Sequence, residues 1–345
     1  MPRKSRIDAA GALHHITARG IERGMIFRDD ADREGFIERL SVILAETRTR
    51  CLAWSLMGNH FHLLLKTGTA PVACVMRRLM TGHAVSYNRR HRRFGHLFQN
   101  RYKSILCQEE AYLLELVRYI HLNPVRARLV ADVAALDRYP YAGHSVLMGH
   151  LKGDWQDTQA VLGRFGKTVR DARSHYRQFV QAGAGQGQRP DLTGGGLIRS
   201  AGGWEEVKAL RKQGAFEKSD ERILGDGQFV EEVLEAAREQ MERKSLLRAR
   251  GVDLETVAAR VSAVLKLEAG QVERHGKERG LVQARSLYCY WAVRELGISL
   301  SDLARKFRLS STAVSLSVKR GERLAEEKGF RLLGGADIKQ PAAAG

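Results

Sequence analysis

Two short apolar runs, Leu52 to Met57 and His60 to Lys66, stand on either side of Gly58-Asn59, and they limit what the first half of this chain can become. Each has strand length, and glycine followed by asparagine signals a turn or bulge, so the pair reads as two strands. In the second run a strand puts His60 and His62 on one face and sends Phe61 to the other, into a core. A fold that accepts this run must house two imidazoles in an otherwise apolar setting, where an unpartnered polar group is costly. Before it, Leu-His-His-Ile-Thr-Ala over 13–18 reads as a further strand closed by an Arg19-Gly20 turn. Helical spacing runs from Asp30 to about Leu44, from Val72 to Tyr87, and from about Glu109 to His121, where Pro124 stops it. Strands alternating with helices over about 140 residues predict a compact α+β or α/β domain.

Charge narrows the function. Of 345 residues, 57 are Lys or Arg and 39 are Asp or Glu, a formal net charge of +18 that favours a polyanionic partner, most often nucleic acid. No acidic residue occurs between Glu46 and Glu109. The densest part of that stretch carries Arg89, Arg90, Arg92, Arg93, Arg101 and Lys103, interleaved with Tyr87, Phe94, Phe98 and Tyr102. Cations neutralise phosphates and aromatic faces stack on unpaired bases. The plainer alternative is a solvated basic loop beside ordinary core aromatics. The four cysteines, Cys51, Cys74, Cys107 and Cys289, form no CxxC pair, which argues against a disulfide framework or a cysteine zinc site. No run approaches the roughly 18 apolar residues that cross a bilayer, and no apolar signal segment follows the basic N-terminus. A cytoplasmic protein with no membrane partner is expected.

The histidine pair is a weak signal alone, since a strand with two half-exposed histidines is the commoner outcome. Two imidazoles on one rigid face can also hold a divalent metal with positions left open for substrate oxygens. The helix Tyr112-Leu-Leu-Glu-Leu-Val-Arg-Tyr-Ile-His-Leu-Asn-Pro124 offers the rest. Tyr119 and Asn123 are four residues apart and share a face, while Leu113, Leu116, Val117 and Ile120 cover the opposite one. An Asn123 amide oxygen would complete a His-His-Asn site, with Tyr119 one turn away as nucleophile. A phenol with a pKa near 10 needs its electrophile polarised, which a metal on a phosphate does. Otherwise Tyr119 is a core aromatic and Asn123 a residue at a helix end. His121 lies on a different face and is not a candidate base.

Met57-Gly-Asn-His-Phe-His62, with Tyr119-Ile-His-Leu-Asn-Pro-Val125, resembles the HUH single-tyrosine transposases, and among these the REP-associated tyrosine transposases. His15-Ile-Thr-Ala-Arg-Gly20 and Gly95-His-Leu-Phe-Gln-Asn-Arg-Tyr-Lys103 fit the same family, over about 10–145. Two departures are Ile21, where relatives often have Asn, and Gly58, where many have Pro. The resemblance implies a ferredoxin-like core whose antiparallel sheet carries the histidines, with the tyrosine helix packed across it. It also implies Tyr119 as nucleophile and His60, His62 and Asn123 as ligands of Mg²⁺ or Mn²⁺. The implied reaction cuts and rejoins single-stranded hairpin DNA through a 5′-phosphotyrosyl intermediate, in a monomer or homodimer. A non-catalytic DNA-binding regulator and a metal-dependent ribonuclease share the charge signature.

A second DNA-reading unit is expected near the C-terminus. In Leu300 to Arg320, Leu303, Ala304 and Phe307 mark a first helix, Arg308-Leu309-Ser310 a turn without glycine, and Ser310 or Ser311 the N-cap of a second. Val314 and Val318 would face inward, leaving Ser311, Thr312, Ser315, Lys319 and Arg320 for bases or phosphates of duplex DNA. Residues 281–296 read as a support helix, and the region over roughly 228–328 looks like the DNA-binding domain of the bacterial replication initiator DnaA. That initiator's ATPase is not implied, for no GxxxxGK[ST] occurs. The organisation expected is thus a catalytic domain over 1–148, a helical and glycine-rich connector over 149–227, an all-α helix-turn-helix domain over 228–330 and a flexible tail over 331–345.

Overall fold

A computed structural model describes residues 7, 11–68, 70–187, 189, 192, 220–268, 270–274, 276 and 278–333, without the side chains of 239–245 and 248–249. The chain forms two compact units, Met1–Leu234 and Glu235–Gly345. Among the described residues no helix is long and apolar enough to cross a membrane.

In the first unit β1 (Leu13–Arg19), α1 (Asp30–Thr47), β2 (Arg50–Leu56), β3 (His60–Lys66), α2 (Val72–Arg90) and β4 (Lys103–Cys107) follow in β-α-β-β-α-β succession. The short β5 (Ile223–Leu224) completes a sheet of order β2-β3-β1-β4-β5. The first four strands pair antiparallel, but β5 runs parallel to β4, so the α+β unit has a mixed sheet rather than the antiparallel one expected. The outer edge of β4 would otherwise present unpaired backbone. The Leu106 and Gln108 amides instead donate to the Arg222 and Leu224 carbonyls.

Period-two alternation divides the sheet's side chains between two helical layers. On one face Phe36, Leu40 and Leu44 of α1 and Val75, Met76 and Leu79 of α2 pack on Ile16, Phe61, Leu63 and Leu65. The other face is covered by α3 (Glu109–His121) and, after the short α4 (Asn123–Arg126) and α5 (Val133–Leu136), by α6 (Gly143–Met148), α7 (Thr158–Leu162) and α8 (Val169–Ala182). There Leu113, Leu116, Val117 and Ile120 meet Leu13, Leu52, Leu64 and Ile105. Each such side chain, fully buried, contributes about 1.5–3 kcal/mol. Residues expected as connector join this core, for Val161, Leu162, Ala172, Tyr176 and Val180 are all buried in it. One helix, α3, does not cover this face alone, and α6, α7 and α8 extend the cover. The glycine run at 194–196 lies outside the described residues.

The Asn-Pro step does not end helical structure. Pro124 sits in the first turn of α4, where its missing N–H is one that a helix start leaves unbonded anyway. Asn123 therefore stays within one turn of Tyr119.

The second unit contains most of α9 (Gly227–Ala249), then α10 (Leu254–Leu265), α11 (Arg279–Arg294), α12 (Leu300–Lys306) and α13 (Ser311–Lys328). Leu287, Tyr288 and Trp291 of α11 are buried with Leu303, Phe307, Val314 and Val318. Ser310 is the N-cap of α13, its hydroxyl accepting from the Ala313 amide at 3.1 Å. The turn manages without glycine because Arg308 itself adopts the left-handed conformation, at φ 49°. Gly321 marks the closest approach of α13 to α11, since a Cβ there would lie 2.0 Å from the Ser286 carbonyl oxygen. Of the tail expected from 331, Leu332 is buried, and 334–345 lie outside the described residues.

Candidate active site

The antiparallel register of β1 and β3 sets Thr17 opposite His62 and Arg19 opposite His60. Because Phe61, Leu63 and Leu65 point toward α1 and α2, His60 and His62 emerge on the other face, beneath α3. There a cleft of about 360 Å³ is lined by His15, Arg19, His60, His62, Arg101, Lys103, Tyr119 and Asn123, among others. The fold thus brings together all four residues singled out for chemistry, from β3, α3 and α4.

Their hydrogen bonds restrict what each ring can do. The Asn59 amide nitrogen donates to the Arg23 carbonyl at 3.0 Å, which turns its Oδ1 toward His60. His60 Nδ1 therefore donates to that oxygen, at 2.6 Å, and its Nε2 is left as a lone pair. His62 Nδ1 lies 3.1 Å from His15 Nε2, so one of the two rings donates to the other. The His60 and His62 ring centroids are 5.3 Å apart, and the Tyr119 ring stands edge-on to His15 and His62, 5.9 Å from each. Burial, aided by the charge of Arg19, lowers the His60 pKa to about 4. Burial likewise holds His62 well below the ordinary histidine value, reinforced by His15, His60 and Arg19. Both imidazoles are neutral at neutral pH, the form that binds metal. Among the described residues the buried Asn123 Nδ2 has no hydrogen-bond partner.

The family model described as "Transposase IS200 like" matches residues 10–123, a span that contains every one of these groups. A solved structure described as a REP-associated tyrosine transposase bound to a REP hairpin is similar over 46% of this chain and 94% of that one, with 14% identity and a TM-score of 0.36. No curated protein matches the chain.

Two residues of the site escape sequence reasoning. His15 supplies a third imidazole, on the β1 face shared with Leu13 and Thr17; its period-two position was the available signal. Arg126 lies with its guanidinium carbon 5.3 Å from the Tyr119 ring centroid and donates from Nη1 to the Tyr119 carbonyl at 3.1 Å. Burial lowers its pKa, with the nearby Tyr119 acting in the opposite sense. Seven residues after Tyr119, it returns to the same side two turns on.

The basic stretch of the first unit is divided by the fold. Arg101 and Lys103 line the cleft, and Arg89 and Arg92 are exposed. Arg90 is instead committed to Asp29, at 2.9 Å, and Asp32, while Arg93 donates to the Asn88 side chain and the His96 carbonyl. Asp29, Asp32 and His91 are the one trio of acidic or histidine groups among the described residues whose ligand atoms lie within 4.8 Å. The Arg90 guanidinium already supplies the positive charge there. Of the interleaved aromatics, Tyr87 and Tyr102 are buried rather than offered to bases, Phe98 is half-buried and Phe94 is exposed. Tyr87 spends its hydroxyl on the Met25 carbonyl. In the second unit Ser311 and Thr312 are exposed in the first turn of α13, Ser315 and Lys319 are half-buried, and Arg320 donates to Ser317 at 3.0 Å.

Proposed function

We propose that the chain is a metal-assisted, single-tyrosine DNA nicking and joining enzyme of the REP-associated transposase type, built on a ferredoxin-like HUH core and acting on single-stranded hairpin DNA. The observation that carries this reading is the convergence of Tyr119, His60, His62 and Asn123 on one cation-lined cleft. His60, with Nδ1–H held by Asn59, and Asn123, whose buried amide nitrogen has no partner among the described residues, fit a metal site, with His62 as the third ligand in the tautomer that donates to His15. When bound, Mg²⁺ or Mn²⁺ supplies Lewis-acid polarisation of the scissile phosphate.

The rest falls to the chain's own groups. Arg101 and Lys103 hold the strand by its phosphates. The Tyr119 oxygen attacks phosphorus, its proton passing to water in the cleft, and the bond to the 3′ oxygen breaks. That oxygen leaves as a free 3′-hydroxyl, and the 5′ phosphate stays on Tyr119. The Arg126 guanidinium beside the ring favours the anionic phenolate. A second 3′-hydroxyl attacking the same phosphorus expels Tyr119 and joins new ends, the covalent link having kept the phosphodiester energy. The second unit acts as a DnaA-like helix-turn-helix domain on duplex DNA, through Ser311, Thr312, Ser315, Lys319 and Arg320 of α13.

The test is a denaturing gel with labelled single-stranded hairpins from repeats flanking the gene, in Mg²⁺ or Mn²⁺. A protein–DNA adduct that is absent in Tyr119→Phe is expected. Tight binding without adduct on every hairpin makes the chain a non-catalytic regulator, and cleavage of RNA without adduct makes it a ribonuclease. Deletion of 235–345 should weaken duplex binding and spare cleavage of a short single strand.

A further inference from the structure

Beside the cleft lies a larger groove, of about 750 Å³, between α2 and the 95–102 segment. Its size falls in the roughly 300–1,000 Å³ range of pockets that hold small organic groups. Its walls include Met80, Val85 and Phe98, and its rim Arg77 and Arg101. Among the described residues no carboxylate lines it. Val85 is 64% exposed, an apolar side chain offered to solvent where a polar one costs nothing. The Phe98 ring is held from behind, edge-on to Phe61 at 6.3 Å and tilted against His83 at 6.2 Å, so it is a fixed wall rather than a mobile loop residue. Gln99, Asn100 and Arg101 line this groove and the Tyr119 cleft alike, so the two spaces adjoin along that segment.

We infer that this groove takes unpaired nucleobases of the strand whose phosphates pass Tyr119. The inference rests on the reading of the cleft as a single-stranded DNA site. Apolar walls with one aromatic face suit base surfaces, the cationic rim suits the backbone that joins them, and the shared residues place both demands on one continuous strand. The absence of acids from Glu46 to Glu109 is what keeps the whole path open to an anion. It also bears on the interleaving of cations and aromatics, since Phe98 and Tyr102 of that stretch both line the groove and Phe98 is the more exposed of the two.

The experiment compares affinities of the full-length protein for two fluorescent strands of equal charge, each about 15 nucleotides long, within the span that such proteins cover. One is oligothymidine, and in the other every base is replaced by a tetrahydrofuran spacer. Wild type should bind the base-bearing strand more tightly by roughly 5- to 100-fold for each base accommodated. Phe98→Leu removes the aromatic wall. Val85→Glu, at an exposed position that does not disturb folding, puts a carboxylate in the groove. Either should bring the ratio of the two affinities toward one. Equal wild-type affinity for both strands overturns the inference, as does a ratio that neither variant changes. So does a Val85→Glu protein that differs only in oligomeric state, which assigns the groove to a second copy of the chain. The adduct gel reads the chemistry of the cleft separately: base-dependent binding without adduct leaves the groove and removes the enzyme, and an adduct without base dependence does the reverse.

Discussion

Two histidine–tyrosine clusters flank the end of α3, made of the same kinds of residue and differing in what their protons are spent on. In one, His15, His60 and His62 surround Tyr119 at the wall of a cleft. In the other, two residues along the chain, His121 Nδ1 lies 2.7 Å from the Tyr176 hydroxyl, and His144 Nδ1 lies 2.8 Å from the same oxygen. His144 Nε2 faces the Asp137 carboxylate at 2.8 Å, which Arg177 also reaches at 2.8 Å. Asp137 can only accept when ionised, so His144 donates from Nε2 and accepts at Nδ1 from Tyr176. Tyr176 in turn accepts from His121. The direction of every bond is set, and His121, Tyr176 and His144 are all completely buried.

Burial raises the Tyr176 pKa far above that of a free phenol, with Asp137 adding to the effect, and burial lowers both histidines. The second cluster is a hydrogen-bonded clamp from α3 to α6 and α8. Residue type therefore does not decide reactivity here. The first cluster opens on a cleft with cations at hand, where the Asn123 amide nitrogen has no partner among the described residues; the second ends on a carboxylate and is fully buried.

The largest expected effect separates the two tyrosines. Tyr119→Phe should reduce adduct formation by roughly 10⁴-fold or more, as loss of a nucleophile does, and shift stability by less than about 0.5 kcal/mol. Tyr176→Phe should do the opposite. It strands the His121 Nδ1–H and the His144 Nδ1 lone pair in a dry core at about 1–3 kcal/mol each, read as a lower urea midpoint with adduct formation retained. A Tyr176→Phe protein of unchanged stability that forms no adduct would break the distinction.

Acid should find the buried histidines next. His14, lowered by burial to about 4, and His144, lowered by burial against the pull of Asp137, stay neutral in the folded chain. Unfolded, each takes up a proton near pH 6.5, so their stability contribution is complete above about 6.5 and declines as pH falls below it, by up to about 1.4 kcal/mol per unit per group. Urea midpoints at about pH 7, 6 and 5 should fall in that order; a flat series would contradict the neutral assignment. The smallest effect sorts the arginines. Arg101→Ala should reduce the slope of log affinity against log salt by about 1, whereas Arg90→Ala, whose guanidinium is paired with Asp29 and Asp32, should leave that slope alone.

Local pattern alone carries a good part of this molecule. Alternation in His60-Phe61-His62 settles that the histidines share a face, and four-residue spacing settles that Tyr119 and Asn123 do. The apolar spacing of α1, α2, α3 and α11, and the Ser310 cap, follow from neighbours within a turn or two along the chain. What such patterns do not carry is pairing between distant segments. His15 reads as one more strand residue until β1 lies beside β3, and the value of Tyr87 or Tyr102 as a base platform disappears only when both are seen buried. The clamp on His121 needs Tyr176, 55 residues away, and β5 meets β4 across more than a hundred residues. Sequence determined which way each side chain leaves its own helix or strand, because that is set by backbone periodicity. The tertiary structure alone decided what each then meets, because burial, proton sharing and access to solvent belong to pairs of segments and to none of them singly.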